Sequence, residues 1–357
     1  MIECKVCLMD SQIAEILDDG RCEYCHLTEK IKRDADDFPK LLSKIKMSRR
    51  GKYDCLIGIS GGEDSSILLY MAVKVWELNP LVIHFDNYWN CKEANNNIEV
   101  LINNLNVNFI RIYPDKKEYE DLNDAFLYAG LLDADIPNDI AMEKLARSYA
   151  RYHNISYILN GHDLDREGST PKAWTYMDSK YLGDVYERYT GKKLKNYPLL
   201  TIWDQLLDGL LGIKHVRPFH WVCSMRTTRT HILEILKSWG WQEYGGKHCE
   251  NVYTEFIGGW YLPGKFGIDK RIVYLSARIR SGLIDKDQAK QILEQRSPFD
   301  TRKLGERRLT IMKLVNQSPE GNRNDYAHYD FKKWKPLIYL LAKMKIVAYM
   351  FYYKYCK

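Results

Sequence analysis

The chain has 357 residues, 45% hydrophobic and 28% charged, a soluble composition that suits one large domain with appendages or two domains. Its net charge of +6 sits wholly in residues 323–357, where seven Lys and one Arg face two Asp; elsewhere 45 basic residues balance 45 acidic ones. A neutral body makes a poor nucleic-acid footprint. No uncharged apolar stretch reaches spanning length, and "MIECKVCLMD" lacks a signal peptide's basic and apolar regions, so a cytoplasmic protein is expected.

In chain order, residues 1–30 read as a small metal module. Cys4-x2-Cys7, fourteen residues, then Cys22-x2-Cys25 places two sulfurs per knuckle on one ion, the pattern of a closed structural Zn2+ site. Such an ion folds a unit too small to fold alone. An iron–sulfur centre is the alternative, and His26 stands by as a bystander. The other cysteines, Cys55, Cys91, Cys223, Cys249 and Cys356, are scattered, which argues against a disulfide framework. Residues 31–50 read as a charged connecting helix.

From 51 to about 161, strands and helices alternate. "YDCLIGI" (53–59), "PLVIHFD" (80–86), "VNFIRIY" (107–113) and "SYILNG" (156–161) read as strands. Residues 64–77, 92–105 and 137–152 read as helices. Alternation of this kind implies right-handed crossovers and a parallel sheet covered on both faces, an α/β fold. Beyond 162 the pattern loosens into an aromatic, basic excursion, with helices expected at 199–211, 228–239 and 285–295 and a helical C-terminal region. The expected divisions are 1–30, 31–50, 51–200, 201–300 and 301–357.

At the end of the first strand stands Ser60-Gly61-Gly62-Glu63-Asp64-Ser65-Ser66. Glycines let a backbone approach a ligand closely, and amides at a helix start with hydroxyls beside them form an anion site. No Gly-Lys-Ser/Thr follows, so this is not a Walker A loop. A plain tight turn capped by Asp64 or Ser65 is the other reading.

Ser-Gly-Gly-x-Asp-Ser after the first strand resembles the PP-loop ATP pyrophosphatases, of the adenine nucleotide alpha hydrolase-like fold. The resemblance implies that this loop holds the β,γ-pyrophosphate of ATP while the α-phosphate is attacked. "HFDN" (84–87) matches where such folds place base and ribose, which implicates His84 and Asp86. "GHDLD" (161–165) matches their Gly-His-x-x-Asp segment, which implicates Gly161, His162 and Asp165. The cysteine module, the loop, "HFDNYWN" and "YGGKHCENVYTEFIGGWYLPGKFGIDKR" (244–271) together resemble the bacterial N-acetyl sugar amidotransferases of surface-polysaccharide pathways. That family implies ATP-dependent conversion of an acetamido group on a nucleotide-linked sugar into an acetamidino group. It also implies ammonia from a separate glutaminase and channel pair resembling the histidine-pathway synthase subunits.

On that reading Mg2+ bridges the phosphates, with Asp64 and Asp165 as its partners. Lys265, Lys270 and Arg271 are candidates for the pyrophosphate or the sugar nucleotide's diphosphate. His248 and Glu250 are candidates to orient ammonia or take a proton. Arg217, Arg226 and Arg229 are candidates for a sugar carboxylate or phosphate by composition alone. Each of these also reads as a solvated basic face or an ordinary interior pair. "GHDLD" is closer to the PP-loop enzymes that thiolate or lysidinylate RNA than to the Gly-Gly-Asn of the sugar family, so an RNA sulfur transferase is the second hypothesis. A zinc-ribbon scaffold with a retired nucleotide site is the third. The tail (332–357) is basic and Tyr-rich, suited either to packing on the body or to peripheral contact with an anionic membrane. Lys343 and Lys345 point to opposite sides of a helix.

Overall fold

The computed structural model describes residues 2–31, 35–221, 226–295, 299–329 and 335–343. Five strands form one parallel sheet: β1 (Cys55–Gly58), β2 (Pro80–Phe85), β3 (Asn108–Ile112), β4 (Tyr157–Leu159) and β5 (Lys214–Val216), in the order β3-β2-β1-β4-β5. The register pairs Leu56 with Leu81 and with Ile158, and Val82 with Phe109. Side chains alternate across a strand. Cys55, Ile57 and Ile59 therefore enter one core with Val82, Leu159 and Ile67, while Leu56 enters another with Leu81, Ile83 and Ile158. Both faces are covered, which is why the strand is a continuous apolar run. Each such side chain contributes about 1.5–3 kcal/mol when fully buried.

The helices are α1 (Glu23–Ile31), α2 (Phe38–Met47), α3 (Glu63–Tyr70), α4 (Lys92–Leu105), α5 (Lys116–Tyr128), α6 (Ile136–Tyr152), α7 (Leu164–Glu167) and α8 (Ser179–Thr190). They continue with α9 (Ile202–Leu211), α10 (Arg226–Ser238), α11 (Val252–Phe256), α12 (Leu262–Phe266), α13 (Arg271–Arg280), α14 (Lys286–Glu294), α15 (Arg308–Gln317) and α16 (Lys335–Lys343). The four expected strands are present, each shorter than its apolar run, and the expected α4 spans 92–105. β5, α5 and α8 went unread. β5 is three residues long with two exposed, so no apolar run announces it. A third core joins Tyr119, Phe126, Tyr181, Tyr253, Phe256 and Ile311 from α5, α8, α11 and α15.

Helix α9 is inverted. Asp204 and Asp208, one turn apart, are buried, while Trp203, Leu207, Leu210 and Leu211 face outward. Lys144 meets Asp204 at 2.6 Å, Arg147 and Arg151 meet Asp208 at 2.5 and 2.6 Å, and Arg151 reaches Asp204 at 2.9 Å. A four-residue spacing on one face lets two acids share three cations from α6.

Among the described residues no helix is long and apolar enough to cross a membrane. Cys223, Cys356, Lys345 and most of the basic tail lie outside the described residues.

Candidate active site and metal centre

The sheet runs outward from β1 to β3, then crosses to β4 on β1's other side, so the order reverses between β1 and β4. Ligands of open α/β sheets bind beyond the carboxyl ends at such a reversal. Here Gly58, the last residue of the central strand, is exposed, and a Cβ on it would meet nothing within 4 Å. The space beside Gly58 is open, and Ser60–Ser66 follows directly after it.

Gly61 has φ +79°, and a Cβ there would lie 2.1 Å from the Ala94 carbonyl of α4. A Cβ on Gly62 would meet the Glu250 carboxylate at 2.8 Å. Gly61 is therefore demanded by close approach of backbone to backbone, while a side chain at Gly62 would have to push the Glu250 carboxylate aside. Ser60 and Ser65 brace the turn through their hydroxyls at 3.3 Å, and Ser66 donates to the Gly62 carbonyl at 2.7 Å. Gly161 lets the end of β4 pass close to the same helix start, since a Cβ there would meet the Asp64 carbonyl at 3.1 Å.

The segment between α10 and α11 wraps this loop. Asn97 of α4 holds both Gly61 (3.0 Å) and Gln242 (2.9 Å) by their carbonyls. Trp241 donates to the Ser66 hydroxyl at 3.1 Å, and the Glu63 amide donates to the Tyr244 hydroxyl at 2.8 Å. An antiparallel bridge between Asn90 and Asn251 fixes its far end. Gly245 and Gly246, both at positive φ, then turn Lys247 over the loop.

Two cations converge on Asp64. The Lys247 ammonium and the Arg229 guanidinium both pair with its carboxylate. Lys247 also reaches Glu167 at 2.7 Å; Arg229 also reaches Glu63 at 2.7 Å and Asp163 at 3.4 Å. Burial works to raise the Asp64 carboxyl, but Lys247 and Arg229 together hold it well below the usual range. Glu167 goes the other way, pushed up to about 8 by burial and the Asp64 charge.

Glu250 accepts from Ser60 Oγ at 3.4 Å through Oε1, while its buried Oε2 has no hydrogen-bond partner among the described residues. Burial raises its carboxyl. His248, at φ +61° against the Tyr274 ring, is lowered to about 3 by burial and by Lys247 and Lys270, so it is neutral near pH 7. His162 bonds the Gly168 carbonyl at 2.8 Å and is likewise lowered to about 3, by burial with Arg217 and His220 adding.

Other expected residues do different work. His84 is buried with both ring nitrogens engaged, by the Ile59 carbonyl (2.8 Å) and the Asn90 amide (3.1 Å), so it ties β2 to the loop. Asp86 is buried against Arg111 at 2.8 Å. Lys265 donates to the Ser318 carbonyl and hydroxyl at 2.7 and 2.9 Å, which ties α12 to the end of α15. Arg271 pairs with Asp269 and donates to the carbonyls of Ile292 and Leu293, so it caps α14. Lys270 lies against Gly258 and within electrostatic reach of His248. The Asp165 amide donates to Asp163 and its carbonyl accepts from Ser281; the acid that meets Arg229 is Asp163. The Arg226 side chain lies outside the described residues.

Composition singles out Arg229 for a sugar carboxylate or phosphate, and the fold sets it on Asp64. Lys247, Glu167, Asp163 and Tyr244 were missed. The signal for Lys247 lay in "YGGKHCEN", where two glycines precede a cluster of polar residues.

The four sulfurs of Cys4, Cys7, Cys22 and Cys25 are buried and lie within 4.8 Å of one another. Their neighbouring separations are 3.6, 3.6, 3.8 and 3.9 Å. A single tetrahedral ion with ligands at about 2.3 Å needs sulfurs about 3.8 Å apart. The donor set therefore fits one thiolate-bound ion, and it is too tight to enclose a cubane cluster.

Residues 250–344 match the family model for the LPS biosynthesis protein WbpG-like, C-terminal domain. An uncharacterized protein of Methanocaldococcus jannaschii is 26% identical over 305 residues, 82% of this chain and 94% of that one. Among solved structures, the U34-tRNA thiolase NcsA of Methanococcus maripaludis, solved with its 4Fe-4S cluster, aligns at TM-score 0.36 and 12% identity. That alignment covers 92% of this chain and 99% of the thiolase. The NH3-dependent NAD synthetase of Campylobacter jejuni aligns at TM-score 0.30 and 15% identity, over 60% of this chain and 93% of that one. These likenesses are distant, and the fold rests on the sheet itself. The match over 250–344 takes in Glu250 and the segment that follows it, and it bears out the resemblance expected from the sequence: this part of the chain is similar to the WbpG-like LPS biosynthesis proteins.

Proposed function

We propose that the chain is the synthetase subunit of an ATP-dependent amidotransferase acting on a nucleotide-activated N-acetyl sugar in surface-polysaccharide biosynthesis. The observation that carries this is the pair Arg229 and Lys247 over the glycine loop at the open end of β1. A buried guanidinium, a partly exposed ammonium, a glycine turn packed against α4 and two hydroxyls on one helix start suit a polyphosphate.

An amide carbon is a poor electrophile and its oxygen a poor leaving group. On this reading the acetamido oxygen attacks the α-phosphate of ATP, and the bond to the β-phosphate breaks as pyrophosphate leaves. Arg229 and Lys247 neutralise the charge that builds on that leaving group. Ammonia then adds to the activated carbon, the C–O bond breaks, and AMP departs with the oxygen. Glu250, half-buried and with its inner oxygen unpaired among the described residues, takes the proton that the nitrogen loses. Neutral His248, packed on Tyr274 two residues before Glu250, is a further hydrogen-bonding group near the loop. Asp64, with Asp163 near it, would hold magnesium, which would neutralise charge on the phosphates. Zinc is the ion assigned to the four cysteines, in a closed structural role. Ammonia comes from a partner glutaminase, and no nucleic acid is needed.

The test is pyrophosphate release from ATP, Mg2+ and ammonium against a panel of nucleotide-linked acetamido sugars and bulk tRNA, with mass spectrometry of products. A sugar product lighter by about one mass unit, with oxygen replaced by NH, is expected. Asp64→Ala should abolish release and keep the bound metal at the cysteines. Release driven by tRNA alone would move the chain to RNA modification.

A further inference from the structure

The α7 helix is a single turn of four residues, Leu164–Glu167, yet it carries Glu167 and is opened by Asp163. A helix so short has no stability of its own, so its order comes from what it packs on. That element is α13. The Ser281 hydroxyl, at the end of α13, lies 2.7 Å from the Asp165 carbonyl and 2.6 Å from the Ala277 carbonyl of its own helix, so its one proton is shared between α7 and α13. Gly168, which closes α7 at φ +68°, lies so near α13 that a Cβ would meet Arg280 Nη2 at 3.0 Å, the Ala277 methyl at 3.1 Å and the Val273 carbonyl at 3.3 Å.

The thiolate module also sits on α13. The Leu8 amide donates to the Ser276 hydroxyl at 3.2 Å, and Val273 packs in one core with the four cysteines. Arg280 Nη1 donates to Cys7 Sγ at 3.6 Å. Arg280 Nε and Nη2 are buried with no hydrogen-bond partner among the described residues. A buried guanidinium with bonds unmade needs compensating charge close by. A divalent ion with four thiolates carries a net charge of −2, and Cys7 presents it directly to Arg280.

We propose that the metal–thiolate module is a positioning device for the phosphate corner: through Arg280 and Ser281 it holds α7, and with it Asp163 and Glu167, against Lys247 and Arg229. Its link to phosphate rests on the function proposed above; the clamp itself rests on these contacts. Arg280 and Ser281 are positioning residues and touch no reacting atom.

The test uses the full-length, metal-loaded chain. Hydrogen exchange is read at the Arg166, Glu167 and Gly168 amides, which donate to the Asp163 and Leu164 carbonyls at 3.1, 2.7 and 3.2 Å. Ser281→Ala and Arg280→Met should each speed their exchange roughly ten-fold or more. Arg280→Lys should restore part of the protection, and stripping the ion from the wild type with a chelator should reproduce the Arg280→Met pattern. Wild-type protection of these amides in Ser281→Ala and in metal-stripped protein overturns the clamp. Should Arg280→Met lose the ion or misfold, Ser281→Ala decides alone, because it leaves the module's contacts intact. A parallel titration with inorganic pyrophosphate and Mg2+ should show several-fold weaker binding in both variants. Loosened α7 amides with unchanged pyrophosphate affinity overturn the link to the corner. A wild type that binds no pyrophosphate refutes the nucleotide reading, while the amides still judge the clamp.

Discussion

Gly58 and Gly61 stand three residues apart and should respond to the same substitution in opposite ways. In Gly61→Ala the new methyl would sit 2.1 Å from the Ala94 carbonyl, in a backbone at φ +79°. Ala94 is fully buried in α4, so it cannot retreat cheaply. The loop must move by about 1 Å instead, and the left-handed conformation adds about 1–2 kcal/mol. A displacement of that size at a positioned site costs about 100-fold in rate, with about 1–3 kcal/mol lost in stability. In Gly58→Ala the methyl enters open space, at a position without positive φ. Alanine there should leave stability unchanged or raise it by about 0.5–1 kcal/mol, through the unfolded chain. The same methyl occupies the space above β1, so ATP affinity should fall. Urea melts paired with ATP titration separate the two variants: Gly61→Ala loses in both, Gly58→Ala only in the second. A Gly58→Ala protein that binds ATP like the wild type would refute the placing of the nucleotide over β1. A Gly61→Ala protein unchanged in both would refute the tight loop.

Lys247→Met should lower ATP turnover by about 100- to 1,000-fold, the scale for removing one charge-stabilising donor, measured as steady-state pyrophosphate release. Asp208→Ala should cost about 2–3 kcal/mol, because Arg147 and Arg151 lose their shared buried acid and keep only Glu143 and Asp204; the urea midpoint reads this, with the slope unchanged. Asp133, buried beside Arg323, is raised by burial from 3.8 to about 6. A raised acid keeps its proton in the folded state, so its contribution is fully present below pH 3.8 and is lost as pH rises through about 6. Asp133→Asn should remove this window, a difference of about 3 kcal/mol between acid and neutral pH; parallel pH profiles for the two proteins would contradict it.

The parts of this molecule that sequence reveals are those where local chemistry and global position agree. β1 is legible because a strand buried on both faces must be apolar throughout, and the glycine loop because its backbone conformation admits few residues. The four cysteines are legible because one ion dictates their spacing. Lys247 and Arg229 obey no such local rule. Each reaches Asp64 from more than 160 residues away in sequence, and either would read as a surface cation until the fold places it. Lys265 and Arg271 show the converse. Both sit in a segment that carries the family resemblance, yet their charges are taken up by Ser318 and by the end of α14. His84 and Asp86 stand at the expected strand end, but a strand end also needs fastening, and they supply it. α9 misleads any reading from hydrophobicity alone, since its acids face in and its leucines face out.

The charge balance of the corner carries a consequence of its own. Arg229 and Lys247 are the two cations paired with Asp64, and Glu63, Asp163 and Glu167 already share them. A polyphosphate that comes to these cations must displace carboxylates from them, and the displaced Asp64 then needs a counter-charge of its own. A divalent ion arriving with the phosphates supplies it, which makes tight ATP binding depend on the metal. Asp64→Asn tests this directly. It keeps the shape of the side chain and removes the negative charge that holds Lys247 and Arg229. Without metal, the variant should bind ATP more tightly than the wild type, because the cations are released to the phosphates. With Mg2+ the wild type should recover most of that difference, while the variant should fail to turn over. Isothermal titration with and without Mg2+, followed by pyrophosphate release, gives all three comparisons. Weaker metal-free ATP binding by Asp64→Asn would show that Asp64 orders the two cations rather than competing for them, and would end this account of the site.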